Sequence, residues 1–167
     1  DLRNRHTVFR KTFRLSAPVQ RTVLSISADD RYQLYVNGTY VTQGPAPSYA
    51  FCYYYNEIDI TDRLKEGENV IAVHVYYQGL VNRAYSSGDY RQGMIAELWA
   101  DGVQLLDHFW KCRNLDEYGF SGTIGYDTQF DEIIDMRKKL SGWENAVFDD
   151  SDWETAAVRT DDDHILF

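Results

Sequence analysis

Basic residues are short in this chain relative to acidic ones: 17 lysines and arginines stand against 26 aspartates and glutamates, a formal net charge of −9. Phosphate backbones and anionic lipid surfaces both need a positive footprint, so no nucleic acid and no membrane is expected as a partner. No apolar run is long enough to span a bilayer. Only 3 prolines and 11 glycines occur in 167 residues, and no tract is repeated or compositionally simple. Disordered and solenoid architectures are thereby excluded. Cysteine is scarce as well. Cys52 and Cys112 allow at most one bridge, and the sequence leaves a disulfide and two buried thiols equally open. A chain of this size needs no staple, because a single domain of its length buries roughly 70% of its unfolded surface. Residues 1–167 are read as one domain.

What the chain does have is aromatic residues and alternation. Aromatics make up 15% of the residues, and 13 of them are tyrosines, which suit half-buried strands and carbohydrate contacts alike. Tyr32, Leu34 and Val36 alternate with Gln33, Tyr35 and Asn37, the period of a strand with one buried face. Asn37-Gly38 then closes a two-residue hairpin onto Thr39-Tyr40-Val41. Phe51 to Ile60 is expected to return as an aromatic strand. After a polar corner, Ile71, Val73 and Val75 form one face of the next strand, and Ala72, His74 and Tyr76 the other. Upstream, Phe9, Phe13 and Leu15 face inward, with Arg10, Thr12 and Arg14 as a polar outside. Thr22, Leu24, Ile26 and Ala28 form a second strand that ends at Asp29-Asp30. Met94–Ala100 and Val103–Trp110 are joined by Asp101-Gly102, a second hairpin signal. The fold class is all-β.

Candidate chemistry is concentrated in two places. Gln78 to Gln92 is the longest stretch without a strand pattern, and long loops in compact domains often carry function. Its Arg83, Tyr85, Asp89 and Tyr90 combine hydrogen-bonding groups with flat rings, as a sugar site requires, though an irregular crossing between sheets would read the same way. The acidic turn Asp29-Asp30 allows calcium but lacks further ligand spacing, so no cofactor is expected and a solvated turn is the simpler reading. His6, His74, His108 and His164 have no metal-ligand spacing, and no metal site is expected. Ser121 sits in a glycine-rich stretch but without the closing glycine of a nucleophile elbow or any evident base. Asn37-Gly38-Thr39 fits a glycosylation triplet, read as accidental because it is a tight turn.

Phe130 to Trp153 carries the most distinctive pattern: Glu132, Asp135 and Arg137, then Gly142-Trp143, then Asp149-Asp150-Ser151-Asp152-Trp153. Together with Tyr32 to Gly38, Asp59-Ile60-Thr61 and Gly67 to Val73, this order resembles the N-terminal β-sandwich domain of bacterial α-L-rhamnosidases. The chain departs from that pattern at Asp131 and Ile134, and Gln78-Gly79-Leu80 replaces a glycine-tryptophan-tyrosine element. Sandwich modules of β-galactosidases and β-glucuronidases share the earlier strand and turn elements, and they stand as the alternative.

The resemblance implies an antiparallel β-sandwich of the jelly-roll, galactose-binding type with a short irregular or helical C-terminal hook. It also implies a non-catalytic fragment of a longer glycoside hydrolase. The parent would hydrolyse terminal α-L-rhamnosides with inversion, on a catalytic domain downstream in the same polypeptide. No catalytic residue is assigned here. Glu132 joins the tentative carbohydrate-binding set, for a rhamnose-containing glycan, while Asp135, Arg137, Trp143 and Trp153 are read as structural. The domain would act in recognition or as a brace. Its parent is expected in the periplasm or outside a bacterial cell, with the cytoplasm as the other possibility. The ends at Asp1 and at Ile165-Leu166-Phe167 are read as cuts.

Overall fold

The computed structural model describes residues 3–49, 51–80, 92–125 and 129–159. Among the described residues the period-two patterns produce strands that sort into two main antiparallel sheets. The first five are β1 (Arg5–Leu15), β2 (Thr22–Asp29), β3 (Arg31–Val36), β4 (Thr39–Gly44) and β5 (Asn56–Asp59). They are followed by β6 (Gly67–Tyr77), β7 (Gly93–Ala100), β8 (Val103–Gln104) and β9 (Lys111–Asn114). Five short strands complete the chain: β10 (Tyr118–Gly119), β11 (Thr123–Ile124), β12 (Gln129–Phe130), β13 (Ile133–Ile134) and β14 (Glu154–Thr155). The larger sheet runs β14-β9-β1-β6-β3-β4 and the smaller β5-β2-β7-β8, with the short pairs β10–β13 and β11–β12 beside them.

Leu24 and Ile26 of β2 and Leu98 of β7 meet Leu34 of β3 and Ile71, Val73 and Val75 of β6 in one buried cluster. The two sheets therefore form a β-sandwich whose core is the set of inward positions. Asn37 and Gly38 take φ of 51° and 82°, and Asp101 and Gly102 take 50° and 81°. Positive φ at both centres matches the twist of the flanking strands, so each pair closes a two-residue hairpin.

A second layer covers the outside of the larger sheet. Val8, Val70 and Ala72, which point away from the sandwich core, are buried beneath Leu115, Trp143 and Trp153. The C-terminal hook thus packs on the outer face, and β6 is buried on both sides. This explains why Val70 to Val73 reads as an unbroken apolar run rather than an alternation.

Arg10, on the polar outer face of β1, is covered by the hook and is among the most completely buried side chains of the described residues. Its Nε donates to Asp150 Oδ2 at 2.8 Å. Nη1 donates to the carbonyls of Trp143 and, at 3.0 Å, Asn145, and Nη2 reaches the Phe148 carbonyl at 3.4 Å. The guanidinium also lies over the Phe148 ring, 5.2 Å from its centroid. The five fixed donors of an arginine suit such a cluster of chain-end carbonyls.

Other expectations shift locally. Of Phe51 to Ile60, only Asn56–Asp59 forms a strand, and it pairs with β2 in the smaller sheet. The Tyr49 and Phe51 rings instead stack on each other at 5.3 Å and remain exposed. The expected strand from Val103 stops at Gln104, because the Asp107 carboxylate accepts the Phe109 N–H at 2.8 Å in a local turn. Asp29 and Asp30 are not a solvated turn. Asp29 is buried, and Asp30 Oδ2 accepts the Gln78 N–H at 2.6 Å. In the hook, Asp149 closes a turn by accepting the Ser151 N–H at 3.0 Å.

Candidate carbohydrate cleft

The outer face of the larger sheet is only partly covered by the hook. Beyond it lies an open cleft of about 630 Å3, a volume typical of small-ligand sites. Its floor is built by alternation: His6 of β1, His74 and Tyr76 of β6, Gln33 of β3 and Gln43 of β4 project on the side away from the sandwich core. One wall is the β10–β13 pair with the chain before it, bringing Tyr118, Asp131 and Glu132. The opposite wall is Gly44 to Pro47 with Asn56.

At the centre is a histidine pair. His6 Nδ1 and His74 Nε2 lie 3.0 Å apart, so one ring donates and the other accepts. Tyr118 stacks flat on His6, with centroids 3.6 Å apart and planes 8° from parallel. Burial lowers the His6 pKa to about 3, with the neighbouring His74 adding to the effect, and burial lowers that of His74 to about 4. Both rings are neutral at ordinary pH. Burial raises the Tyr118 phenol to about 12, and Glu132, Glu117 and Tyr35 push in the same direction. The floor therefore offers neutral donors and acceptors.

The edges are also preorganised. Tyr76 Oη donates to Asn4 Oδ1 at 3.2 Å, and Tyr32 Oη donates to Asn56 Oδ1 at 2.7 Å. A Cβ on Gly44 would collide with the Asn56 amide and press on the Tyr32 hydroxyl, so the wall can approach that pair only with glycine there.

The acidic trio found in the sequence divides. Glu132 lines the cleft. Asp135 and Arg137 form a separate fork-to-fork pair, with Nε–Oδ1 and Nη2–Oδ2 both at 2.8 Å, while the Arg137 N–H donates back to Asp135 Oδ1 at 3.1 Å. That pair caps the single turn Met136–Lys138. Trp143 and Trp153 are buried in the hook layer. Arg83, Tyr85, Asp89 and Tyr90 lie outside the described residues. Ser121 donates its hydroxyl to the Asp131 carbonyl at 2.7 Å, a structural role. The Asn37 amide is likewise engaged, donating to the Arg63 carbonyl and to Asn69 Oδ1. Cys52 and Cys112 are free thiols.

The sequence reading missed the histidine pair, because its members are 68 residues apart. One signal was available. Val8 and Ala72, apolar residues on outward positions of β1 and β6, show that this face is covered, and His6 and His74 share it.

Chemically, the cleft suits recognition of a polyhydroxylated ring. Gln33, Gln43 and Glu132 supply polar contacts, while Tyr76 and Tyr118 add aromatic surface. The carboxylates Asp59, Asp107, Asp135 and Asp149 are all shifted downward, mainly by hydrogen bonds, and lie away from the cleft.

The chain is 36% identical to a solved GH78 family rhamnosidase of Bacillus sp. GL1, covering 92% of this chain and 16% of that one, with a TM-score of 0.84. It is 26% identical to an α-L-rhamnosidase structure from Aspergillus terreus, covering 90% of this chain and 19% of that one, with a TM-score of 0.69. An α-L-rhamnosidase of Formosa agariphila is 28% identical over 164 residues, 87% of this chain and 17% of the relative. The chain thus spans less than a fifth of the length of each. The sequence model described as "Alpha-L-rhamnosidase N-terminal domain" matches residues 17–167, and this chain belongs to that family.

Proposed function

We propose that the chain is the non-catalytic accessory domain of an α-L-rhamnosidase and that the cleft over its larger sheet holds a rhamnose-containing glycan. Its parent would hydrolyse terminal α-L-rhamnosides on a catalytic domain elsewhere in the same polypeptide, in the periplasm or outside the cell. The observation that carries the recognition role is the neutral His6–His74 pair under Tyr118, flanked by Gln33, Gln43 and Glu132 in one open cleft. Neutral partners suit a sugar, whose hydroxyls are uncharged and whose C–H faces pack on rings. Arg83, Tyr85, Asp89 and Tyr90 are retained as a candidate second contact set, and calcium as a candidate requirement.

Calorimetric titration with L-rhamnose and rhamnose-containing oligosaccharides, with and without calcium, tests this reading. Saturable heat that Glu132→Gln and Gln33→Ala weaken supports the cleft. Loss on Tyr85→Ala or Tyr90→Ala alone would move the site to the loop, and absence of binding would leave a structural brace. A specific observation favours that second reading: Phe120, Ile133 and Met136 are exposed apolar side chains on the segment beside the cleft. Such a patch suits contact with another domain of the same polypeptide.

A further inference from the structure

The floor of the cleft and its Gly44 to Pro47 wall differ in chemistry, and the difference bears on which sugar fits. Gln43 of β4, Gln33 of β3 and His74 of β6 stand opposite one another in register, so their side chains form one polar row on the outer face. Neighbouring strands lie about 4.8 Å apart, which makes the row about 10 Å long, the scale of one sugar ring with its substituents. Gln33 Oε1 accepts from the Tyr35 hydroxyl at 3.3 Å, leaving Nε2 to donate. His6 and His74 satisfy each other through one nitrogen each. Whichever ring donates in that bond, the two remaining nitrogens present one acceptor and one donor. Hydroxyls, which donate and accept at once, suit such a row.

The wall that starts at the residue after Gln43 offers little of this. Pro45 and Pro47 have no N–H and Ala46 adds only a methyl, so a single backbone N–H lies between Gly44 and Ser48. The two proline rings fix their own φ, and the wall keeps its shape without hydrogen bonds. Pro45 is buried as its anchor, while Ala46 and Pro47 are exposed along the cleft. From Tyr32 to Asn56 the sequence contains no charged residue and no histidine, so this side of the cleft is neutral throughout. A hydroxyl turned onto the proline rings gives up water for few partners, whereas a methyl gives up none.

We propose that Pro45, Ala46 and Pro47 are specificity residues for a 6-deoxy sugar: its C5 methyl packs on this wall while hydroxyls across the ring meet Gln33, Gln43 and the histidine pair. The inference rests on the reading of the cleft as the glycan site and adds the feature by which that site rejects ordinary hexoses. A hexose carries a hydroxyl on C6, and the same placement turns that hydroxyl onto the proline rings.

L-Rhamnose and L-mannose differ only at C6, and calorimetric titration of each into the 167-residue protein tests the proposal. An enclosed apolar pocket discriminates against one added hydroxyl by about a hundredfold, and an open wall by less, so L-rhamnose should bind about tenfold more tightly. Ala46→Ser and Pro47→Ser each place a partner for the C6 hydroxyl on the wall and should bring the ratio of affinities towards one. Both positions are exposed, so neither variant should unfold the protein. Gln33→Ala should weaken both sugars alike and leave the ratio unchanged. Equal affinities in the parent, with Gln33→Ala weakening both, would overturn the role of the wall and leave the cleft reading standing. A preference for L-rhamnose that neither serine variant alters would overturn it as well. Binding of neither sugar would remove the cleft reading, and this inference with it.

Discussion

Replacing Arg10 by alanine should detach the C-terminal hook while leaving the sandwich paired. The side chain is fully buried and its Nε pairs with Asp150, itself only 23% exposed. Its other nitrogens serve the carbonyls of Trp143, Asn145 and Phe148. Alanine would leave a largely buried carboxylate without its cation and three carbonyls without their donor. Breaking a buried pair from one side costs about 3–5 kcal/mol, because the remaining charge stays uncompensated. In a domain of this size that corresponds to a fall of about 10 °C in Tm. Lysine keeps the charge but not the fork, so Arg10→Lys should recover only part of the loss. Urea unfolding monitored by tryptophan fluorescence gives the stability, and limited proteolysis shows where the chain opens. The account expects early cleavage between residues 140 and 155. A loss under about 1 kcal/mol for Arg10→Ala would refute the reasoning, since it would mean that the buried guanidinium is replaceable by water.

Acid should weaken the cleft in a defined window. His6 and His74 have folded pKa values of about 3 and about 4, below the ordinary 6.5, so the unfolded chain binds their protons more tightly. Their stabilising contribution is complete above pH 6.5 and is lost as pH falls towards 4 and then 3. Urea midpoints measured from pH 7 to pH 4 should therefore decline, and His6→Gln should flatten that decline; a variant with the parent's slope would contradict it. Gly44→Ala drives a Cβ into the Asn56 amide and should cost about 1–3 kcal/mol by overpacking, read as a lower urea midpoint. Arg137→Ala removes a pair whose arginine side chain is 90% exposed, so the melting temperature should stay where it is.

The parts of the fold legible in the sequence are those governed by near neighbours. Asn37-Gly38 and Asp101-Gly102 specify their hairpins through φ alone, and Leu24, Ile26 and Leu34 declare their face through a period of two. Arg10 was illegible for the opposite reason. An arginine on the outer side of a strand is normally solvated, and the groups that bury it lie 133 to 140 residues further on. Local propensity also overstated two strands. The aromatic content of Phe51 to Tyr55 resembles a strand, but among the described residues it forms isolated bridges, such as Cys52 with Tyr49, and no ladder, and the Asp107 turn ends another early. Glu132, which lines the cleft, is grouped in the sequence with Asp135 and Arg137. A bidentate pair two residues apart is complete by itself and leaves Glu132 to face elsewhere. The histidines carried no spacing signal, because adjacent strands brought them together and the sequence did not.

Nitrogen-15 spectra of the histidine side chains, recorded as L-rhamnose and a rhamnose-containing oligosaccharide are added, test the central claim most directly. The ring nitrogens of His6 and His74 lie on the cleft floor, while His108 lies outside it. The account predicts saturable shifts at His6 and His74 with His108 unmoved. Sugar-dependent shifts confined to other sites, or none at any sugar concentration, would contradict the assignment of the cleft as the glycan site.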